Sequence, residues 1–176
     1  EGNLYHKKEV LQGLTNLEFG SVAFFNNGNS AIGSLIDSVT HKSGLYFFTQ
    51  KKGVWTKPTK LLSDEKNNYA FPFMDEFNNA LYFSSDKPEG QGGYDIYVAN
   101  ISGNKIQKPI NLGPVINSAG NEINAILQDG WLFMSSNGHV SLGGYDLYKY
   151  QYHDDDQATL INCIDFNSKK NDFSIF

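Results

Sequence analysis

The chain alternates between short apolar runs and short polar segments rich in asparagine, aspartate and glycine. Runs such as Leu45–Thr49 (LYFFT) and Trp131–Ser136 (WLFMSS) have the length and the aromatic content of β-strands. Segments such as Asn26–Asn29 (NNGN) contain residues that tolerate the positive φ of hairpin turns. The pattern therefore predicts an all-β chain of short antiparallel strands.

Twelve such strands are predicted, in three groups of four. They are Ser21–Phe25, Ala31–Leu35, Leu45–Thr49, Val54–Leu62, Tyr69–Met74, Leu81–Ser85, Tyr94–Ile101, Lys105–Leu112, Ile123–Leu127, Trp131–Ser136, Tyr145–Tyr152 and Ala158–Phe166. Several are apolar on both faces, as in LYFF, DIYV and WLFM. Sheets built from such strands are expected to be covered on both sides by other sheets.

A long internal repeat decides between all-β architectures. The stretch Leu81–Val98 (LYFSSDKPEGQGGYDIYV) returns at Leu132–Lys149 (LFMSSNGHVSLGGYDLYK), 51 positions later. Pro58 and Pro109 are also 51 positions apart, which extends the period into the first group of strands. Four short strands at a period of about 40–50 residues are typical of β-propeller blades. A β-sandwich would show strict alternation and no long repeat.

The repeat predicts three blades, at 18–67, 68–118 and 119–166. Residues 1–17 are interpreted as the end of a preceding blade or as a closing strand, and 167–176 as a polar tail. Because propellers have about four to eight blades, we expect a piece of a larger propeller. The alternative is a small four-bladed ring completed by the two ends of the chain.

Composition limits the class of ligand. The chain has 176 residues and a net charge of −5, and all 14 of its basic residues are lysines. Arginine is the usual reader of phosphates and guanine edges, so nucleic-acid binding is not expected. No apolar run approaches the roughly 18 residues of a membrane helix. The single cysteine, Cys163, excludes an internal disulfide.

The GGYD motifs at Gly92–Asp95 and Gly143–Asp146 are the strongest local signal. Two glycines permit a sharp backbone bend, and the aspartate can accept hydrogen bonds from the N–H groups of that loop. We therefore expect a structural role and no metal or cofactor. Oxygen ligands beside glycines would also suit calcium. The candidate calcium ligands are Asp86, Glu89, Asp95, Asn137 and Asp146.

No catalytic set is recognisable. His139 lies in a predicted loop without a nucleophile in its sequence context, and Cys163 has no cationic neighbours in sequence. Asp154–Asp156 is interpreted as a solvated turn, and Trp55 and Trp131 as core residues rather than sugar-stacking platforms. The sequence thus predicts a protein that is not an enzyme.

The run from LYFSSD through a glycine-rich loop to DIYV resembles the PD40 or TolB-like propeller repeat. Together with PINLGPVINSAGNE and LFMSSNGHVSLGGYDLY, it is similar to the propeller region of Bacteroidetes OmpA-family cell-envelope proteins. The resemblance covers about residues 18–150. The first unit departs from it, because Gly44 stands where Asp95 and Asp146 stand in the later units.

This resemblance implies a non-enzymatic, protein-binding scaffold that is periplasmic and associated with the outer membrane, without a membrane span of its own. Several members of the family belong to type IX secretion or gliding-motility machinery, and peptidoglycan would be bound only by domains absent from this chain. The alternative function is a carbohydrate-binding or glycosidase-type propeller. The candidate partner-binding residues on the loop rim are Lys87, Glu89, Gln91, His139 and Ser141.

Overall fold

A computed structural model describes residues 17–151 and 159–173. Within these ranges the chain forms strands and turns and contains no helix. The all-β prediction is therefore confirmed. The predicted N-terminal segment up to residue 16 and the predicted turn Asp154–Asp156 lie outside the described residues.

The strands form three separate antiparallel sheets, in which each of the first three strands pairs with the next along the chain. The first sheet contains β1 (Leu17–Phe25), β2 (Ser30–Asp37), β3 (Ser43–Lys51), β4 (Val54–Trp55) and β5 (Thr59–Leu62). The second contains β6 (Tyr69–Asp75), β7 (Ala80–Ser85), β8 (Asp95–Ser102), β9 (Lys105–Ile106) and β10 (Ile110–Asn111). The third contains β11 (Glu122–Gln128), β12 (Trp131–Ser136), β13 (Asp146–Gln151) and β14 (Thr159–Asn162).

The outer strands differ from their prediction. The single strands predicted at Val54–Leu62 and Lys105–Leu112 are each divided into two short pieces, and the one predicted at Ala158–Phe166 is reduced to β14. Pro58 and Pro109 lie in the gaps between the pieces, and the proline ring holds φ at about −65°, away from the roughly −140° of an antiparallel strand. The first two sheets therefore have five strands and the third has four.

The sheets pack face to face through two apolar clusters. One cluster joins the first sheet to the second and includes Ile32, Leu45, Leu81 and Phe83. The other joins the second sheet to the third and includes Ile96 and Met134. Strands β7 and β8 contribute side chains to both clusters, so the middle sheet is covered on both faces. This agrees with the prediction made from strands that are apolar on both faces.

The first strand of each sheet carries an irregularity at the same place. The register shifts between Phe19 and Val22 in β1, and again at the corresponding point of β6 and β11. In β6 the shift places Phe71 at a φ of 52°, which is uncommon for an aromatic residue. The Phe71 N–H donates to Ser21 Oγ at 2.8 Å, so the irregular segment links the first two sheets. Strand β6 contacts both β1 and β11.

None of the described residues forms a helix that is long and apolar enough to cross a membrane.

Candidate functional site

The glycine-rich loop between β7 and β8 is closed by a fully buried aspartate. The Asp95 carboxylate accepts hydrogen bonds from the backbone N–H of Gln91 at 2.5 Å and of Gly92 at 3.2 Å. The Asn111 side-chain amide donates to the same carboxylate at 2.7 Å. These contacts give the carboxylate the backbone acceptor role that the GGYD motif predicts.

The third sheet repeats this geometry. The buried Asp146 carboxylate accepts from the backbone N–H of Leu142 at 2.7 Å and of Gly143 at 3.2 Å. Asn162 donates to it at 3.2 Å, at the position that Asn111 has in the second sheet. The same set of bonds at two places in the repeat indicates that the motif builds the loop.

An asparagine clamp holds the beginning of the strand that follows each loop. The Asn117 side chain accepts from the Ile96 N–H at 2.8 Å and donates to the Ile96 carbonyl at 3.0 Å. Asn167 makes the same pair of bonds with Leu147, at 2.7 and 3.0 Å. The clamp pairs a side-chain amide with both peptide groups of one residue, as a neighbouring strand would.

Residues 167–172 are therefore a second copy of the linker at 117–122. Glu122 donates its N–H to the Tyr94 carbonyl at 2.6 Å, and Asp172 donates to the Tyr145 carbonyl at 2.7 Å. Ser118 N–H and Ser168 N–H each donate to the carboxylate four residues later, at 2.8 Å. This role of the tail was not predicted from the sequence, although INSAGNE and FNSKKND match when they are aligned.

The candidate calcium ligands occupy different places. Asp86 accepts from the N–H of Asn68 at 2.5 Å and from its side-chain amide at 2.7 Å. Asn137 accepts from the Asn121 N–H at 2.7 Å, at the equivalent position of the third sheet. Glu89 is exposed and forms an ion pair with Lys87 at 3.7 Å. Among the described residues, no three acidic, histidine or cysteine side chains form a group that could hold a metal ion.

Cys163 has a cationic neighbour in space that the sequence does not place beside it. Burial raises the pKa of the Cys163 thiol, and the charge of nearby Lys149 only partly offsets this effect. A raised pKa keeps the thiol protonated, which is the unreactive form. The Lys149 ammonium also lies over the Trp131 ring, 4.6 Å from its centroid.

A pocket of about 520 Å³ lies where the linker from the second sheet meets the loop and the outer strand of the third. Pro114 and Val115 come from the linker. The loop contributes His139, Val140, Ser141 and Leu142, and the strands and the following turn contribute Tyr148, Leu160, Asn162 and Ile164. No acidic side chain and no lysine lines the pocket. Of the predicted rim residues, it therefore brings together His139 and Ser141.

The rim of this pocket exposes apolar side chains to solvent. Val140 is 92% exposed, Ile164 61%, Leu142 51% and Val115 47%. The equivalent loop of the second sheet carries Lys87, Glu89 and Gln91 instead, so the two loops share a backbone frame and differ in surface chemistry. Clustered exposed apolar residues mark interaction sites more often than isolated ones do. These exposed apolar side chains come together only in the folded chain, so this rim was not predicted from the sequence.

Polar groups fix the walls of the pocket. One ring nitrogen of His139, Nε2, lies 2.8 Å from the Ile116 carbonyl, and the ring is tilted against Tyr148. The Tyr148 hydroxyl donates to the Val140 carbonyl, and the Asn162 amide donates to the same carbonyl at 3.0 Å. Burial, and secondarily the nearby Asp146 carboxylate, raise the pKa of Tyr148, which keeps its hydroxyl a donor. The arrangement is a hydrogen-bonded recess without acidic side chains or lysine.

No protein-family model matches the chain. No curated protein matches it either. Among solved structures, the chain is similar to an alpha-L-arabinofuranosidase from Lactobacillus brevis, at 12% sequence identity and a TM-score of 0.47. The similarity covers 84% of this chain and 53% of that chain, so the present chain spans about half the length of that structure. A likeness at this level supports no argument about activity.

Proposed function

We propose that this chain is a run of three blades from a larger β-propeller. The proposal is supported by three stacked sheets with a shared register irregularity. It is also supported by the GGYD loop within the second and third sheets and by the linker that follows each of them. Glu122 accepts a hydroxyl hydrogen bond from Ser136 of the sheet that it begins. Asp172 stands at the position equivalent to Glu122 and accepts hydrogen bonds from Ser168. Among the described residues, no hydroxyl takes the place beside Asp172 that Ser136 has beside Glu122. A fourth sheet would supply that hydroxyl.

The function we propose is that of a non-enzymatic scaffold that binds a protein partner in the bacterial cell envelope. Its partner would belong to an outer-membrane-associated secretion or gliding-motility assembly, which rests on the resemblance to the PD40 repeat. The observation that carries this proposal is the pocket, which no acidic side chain or lysine lines, with its rim of exposed Val115, Val140, Leu142 and Ile164. No peptidoglycan binding is proposed for this chain.

The buried carboxylates favour a scaffold over a glycosidase. A glycosidase needs two carboxyl groups that face each other across a substrate. Asp95, Asp146 and Glu122 are instead buried and bound to backbone N–H groups of their own loops or linker. They are therefore occupied as structural acceptors.

The experiment is a cross-linking capture in Bacteroidetes envelope preparations, with the tagged chain expressed in the same cells. The test variant is Val140→Asp with Leu142→Asp, which places two charges on the pocket rim. The matched control is Phe77→Asp, which changes an equally exposed apolar residue in the β6–β7 turn. We expect one stoichiometric protein to be captured by the wild type and by Phe77→Asp and to be lost with the rim variant.

Equal capture by all three forms, or capture of nothing, would contradict the proposal. Turnover of aryl arabinosides or other aryl glycosides by the purified wild-type chain would favour the glycosidase alternative instead. A chain that captures no partner is thus also tested directly for glycosidase activity.

A further inference from the structure

The outer strands of the three sheets differ at one register position. Thr59 pairs with Phe47, Ile110 with Val98 and Ile161 with Lys149, so these three residues are equivalent. The residue before each of them is Pro58, Pro109 and Leu160, respectively. The third sheet is therefore the one that has no proline at this position.

The hydrogen-bond pattern shows where the backbone of this residue points. In an antiparallel pair, residues that bond to the partner strand alternate with residues whose N–H and C=O point away from it. The Cys163 N–H donates to the Leu147 carbonyl at 2.9 Å, so Cys163 and Ile161 point toward β13. Leu160 and Asn162 therefore direct their N–H and C=O groups outward, past the edge of the sheet.

Proline blocks this edge in the second sheet, and Pro58 occupies the equivalent position of the first sheet. The Leu112 N–H donates to the Ile96 carbonyl at 3.1 Å, which places Pro109 at an outward position by the same alternation. A proline there has no N–H to offer, and prolines on edge strands are a common device against unwanted strand pairing. In the described part of the chain, β14 pairs with β13 alone. Its outward-facing residues, Leu160 and Asn162, both have an N–H group, because neither is a proline.

The pocket adjoins this open edge. The side chains of Leu160 and Asn162 line it, and both residues lie on the strand face that packs toward the second sheet. A strand added beside β14 would direct every second side chain to the same face, because side chains alternate along a strand. Since no acidic side chain and no lysine lines the pocket and its exposed rim is apolar, we expect the side chain that enters to be uncharged and apolar.

We propose that β14 is the docking edge for an extended segment of a protein partner, which adds as a further strand and places an apolar side chain in the pocket. Main-chain hydrogen bonds to Leu160 and Asn162 would provide affinity, and the pocket would select the side chain. This inference rests on the proposed function and names the form of its partner. The segment is an extended, uncharged peptide with apolar residues at alternate positions.

The deciding variant is Leu160→Pro, which removes the outward N–H and keeps the pairing of Ile161 and Asn162 with β13, as Ile110 and Asn111 keep theirs with β8 after Pro109. Pro58 and Pro109 occupy the equivalent positions, so the fold accepts a proline there. Leu160→Ala is the matched control, since it shortens the pocket side chain and keeps the N–H. Urea unfolding of both variants checks that they remain folded.

The probe is a phage-displayed library of random 12-residue peptides selected against the wild-type chain. We expect peptides with alternating apolar residues, whose affinity falls by at least about tenfold with Leu160→Pro and by less with Leu160→Ala. Methylation of single peptide nitrogens should weaken binding at every second position. In the bound state the Leu160 and Asn162 amides should be protected from hydrogen exchange.

The proposal is overturned if no peptide is selected, if the selected peptides bind Leu160→Pro as well as the wild type, or if N-methylation has no effect. A wild-type dimer that Leu160→Pro dissociates would also overturn it, because the occupant would then be a second copy. Capture of the envelope partner equally by the wild type and by Leu160→Pro would refute this inference and leave the proposed function standing.

Discussion

At the scale of single residues, buried acids hold the loops of this protein in place. Asp95 and Asp146 are fully buried, and each accepts two backbone N–H groups and one asparagine amide. A buried carboxylate is costly unless its oxygens are bonded, and the N–H groups of the loop meet that need. Both carboxylates therefore stabilise the loops that they accept hydrogen bonds from.

Replacing Asp95 by asparagine should destabilise the fold by about 2–4 kcal/mol, because an amide NH₂ group would face the N–H donors of Gln91 or Gly92. The control is Asp129→Asn, at an exposed turn residue with a φ of 51° that asparagine tolerates. That control should lie within about 0.5 kcal/mol of the wild type. Urea unfolding at neutral pH measures both, and equal midpoints would show that the Asp95 bonds contribute little.

Asp64 should make part of the stability depend on acid pH. Desolvation alone would raise the pKa of its carboxyl, but hydrogen bonds from the Tyr69 hydroxyl, Asn67 and the Lys66 N–H hold that pKa well below its ordinary value. A depressed folded-state pKa gives stability that is present above the unfolded pKa of about 4 and is lost as the pH falls below it. Asp64→Asn should therefore lose less stability than the wild type between pH 6 and pH 3.

The measurement is urea unfolding of both proteins at each pH. Asp37, whose pKa is also lowered by the N–H groups of Thr40 and Val39, still titrates in the variant, so a reduced and not an abolished loss is expected. An identical loss in the two proteins would show that Asp64 is not responsible.

At the scale of elements, each glycine-rich loop is locked to the linker that follows its sheet. A Cβ built on Gly92 would lie 2.4 Å from the Ser118 carbonyl oxygen, and one on Gly143 would lie 2.0 Å from the Lys170 carbonyl oxygen. Both contacts are with backbone, which cannot move aside as a flexible side chain can. The first glycine of GGYD is thus required for the close approach of two segments, and neither Gly92 nor Gly143 has a positive φ.

Gly92→Ala should consequently cost about 2 kcal/mol or more, since the linker must shift away from the loop. Gly28→Asn is a suitable control, because Gly28 has a φ of 77° with open space around it, and asparagine tolerates that conformation. Thermal unfolding compares the two. A Gly92→Ala protein as stable as the control would show that the linker adapts freely.

At the scale of the whole molecule, no other sheet of residues 17–151 and 159–173 covers the outward face of the third sheet. Ile116 is 4% exposed because the third sheet covers it, whereas its counterpart Phe166 is 73% exposed. The same linker position is therefore a core residue in one copy and a surface residue in the next. This asymmetry supports the proposal that a further blade packs on the third sheet.

The two positions should respond differently to truncation. Ile116→Ala should destabilise this chain by about 2–4 kcal/mol, as is usual for a buried isoleucine. Phe166→Ala should change its stability by less than about 0.5 kcal/mol. Urea unfolding measures both, and a Phe166→Ala cost as large as that of Ile116→Ala would show that Phe166 is already covered in solution.

Gly44 illustrates how far the repeat could be extended by sequence. It aligns with Asp95 and Asp146, and a Cβ at this position would lie 2.5 Å from Ser63 Cβ and 2.8 Å from the Leu62 carbonyl oxygen. The first unit thus uses direct contact with β5 where the later units use a buried acid. Aligning the three units shows that Gly44 replaces the aspartate. The close contact with Leu62 and Ser63 explains why this position has no side chain.

The sequence by itself determined the inner strands of each sheet, the hairpin turns and the recurrence of the GGYD loop, because these depend on neighbours close along the chain. The strand Trp131–Ser136 was predicted to the residue for this reason. Only the tertiary structure decided that Asn117 and Asn167 clamp strands about 20 residues away, that four apolar side chains surround one pocket, and that the Leu160 N–H points outward. Such features depend on which segments distant in sequence come into contact, and on which side of a strand each peptide group faces.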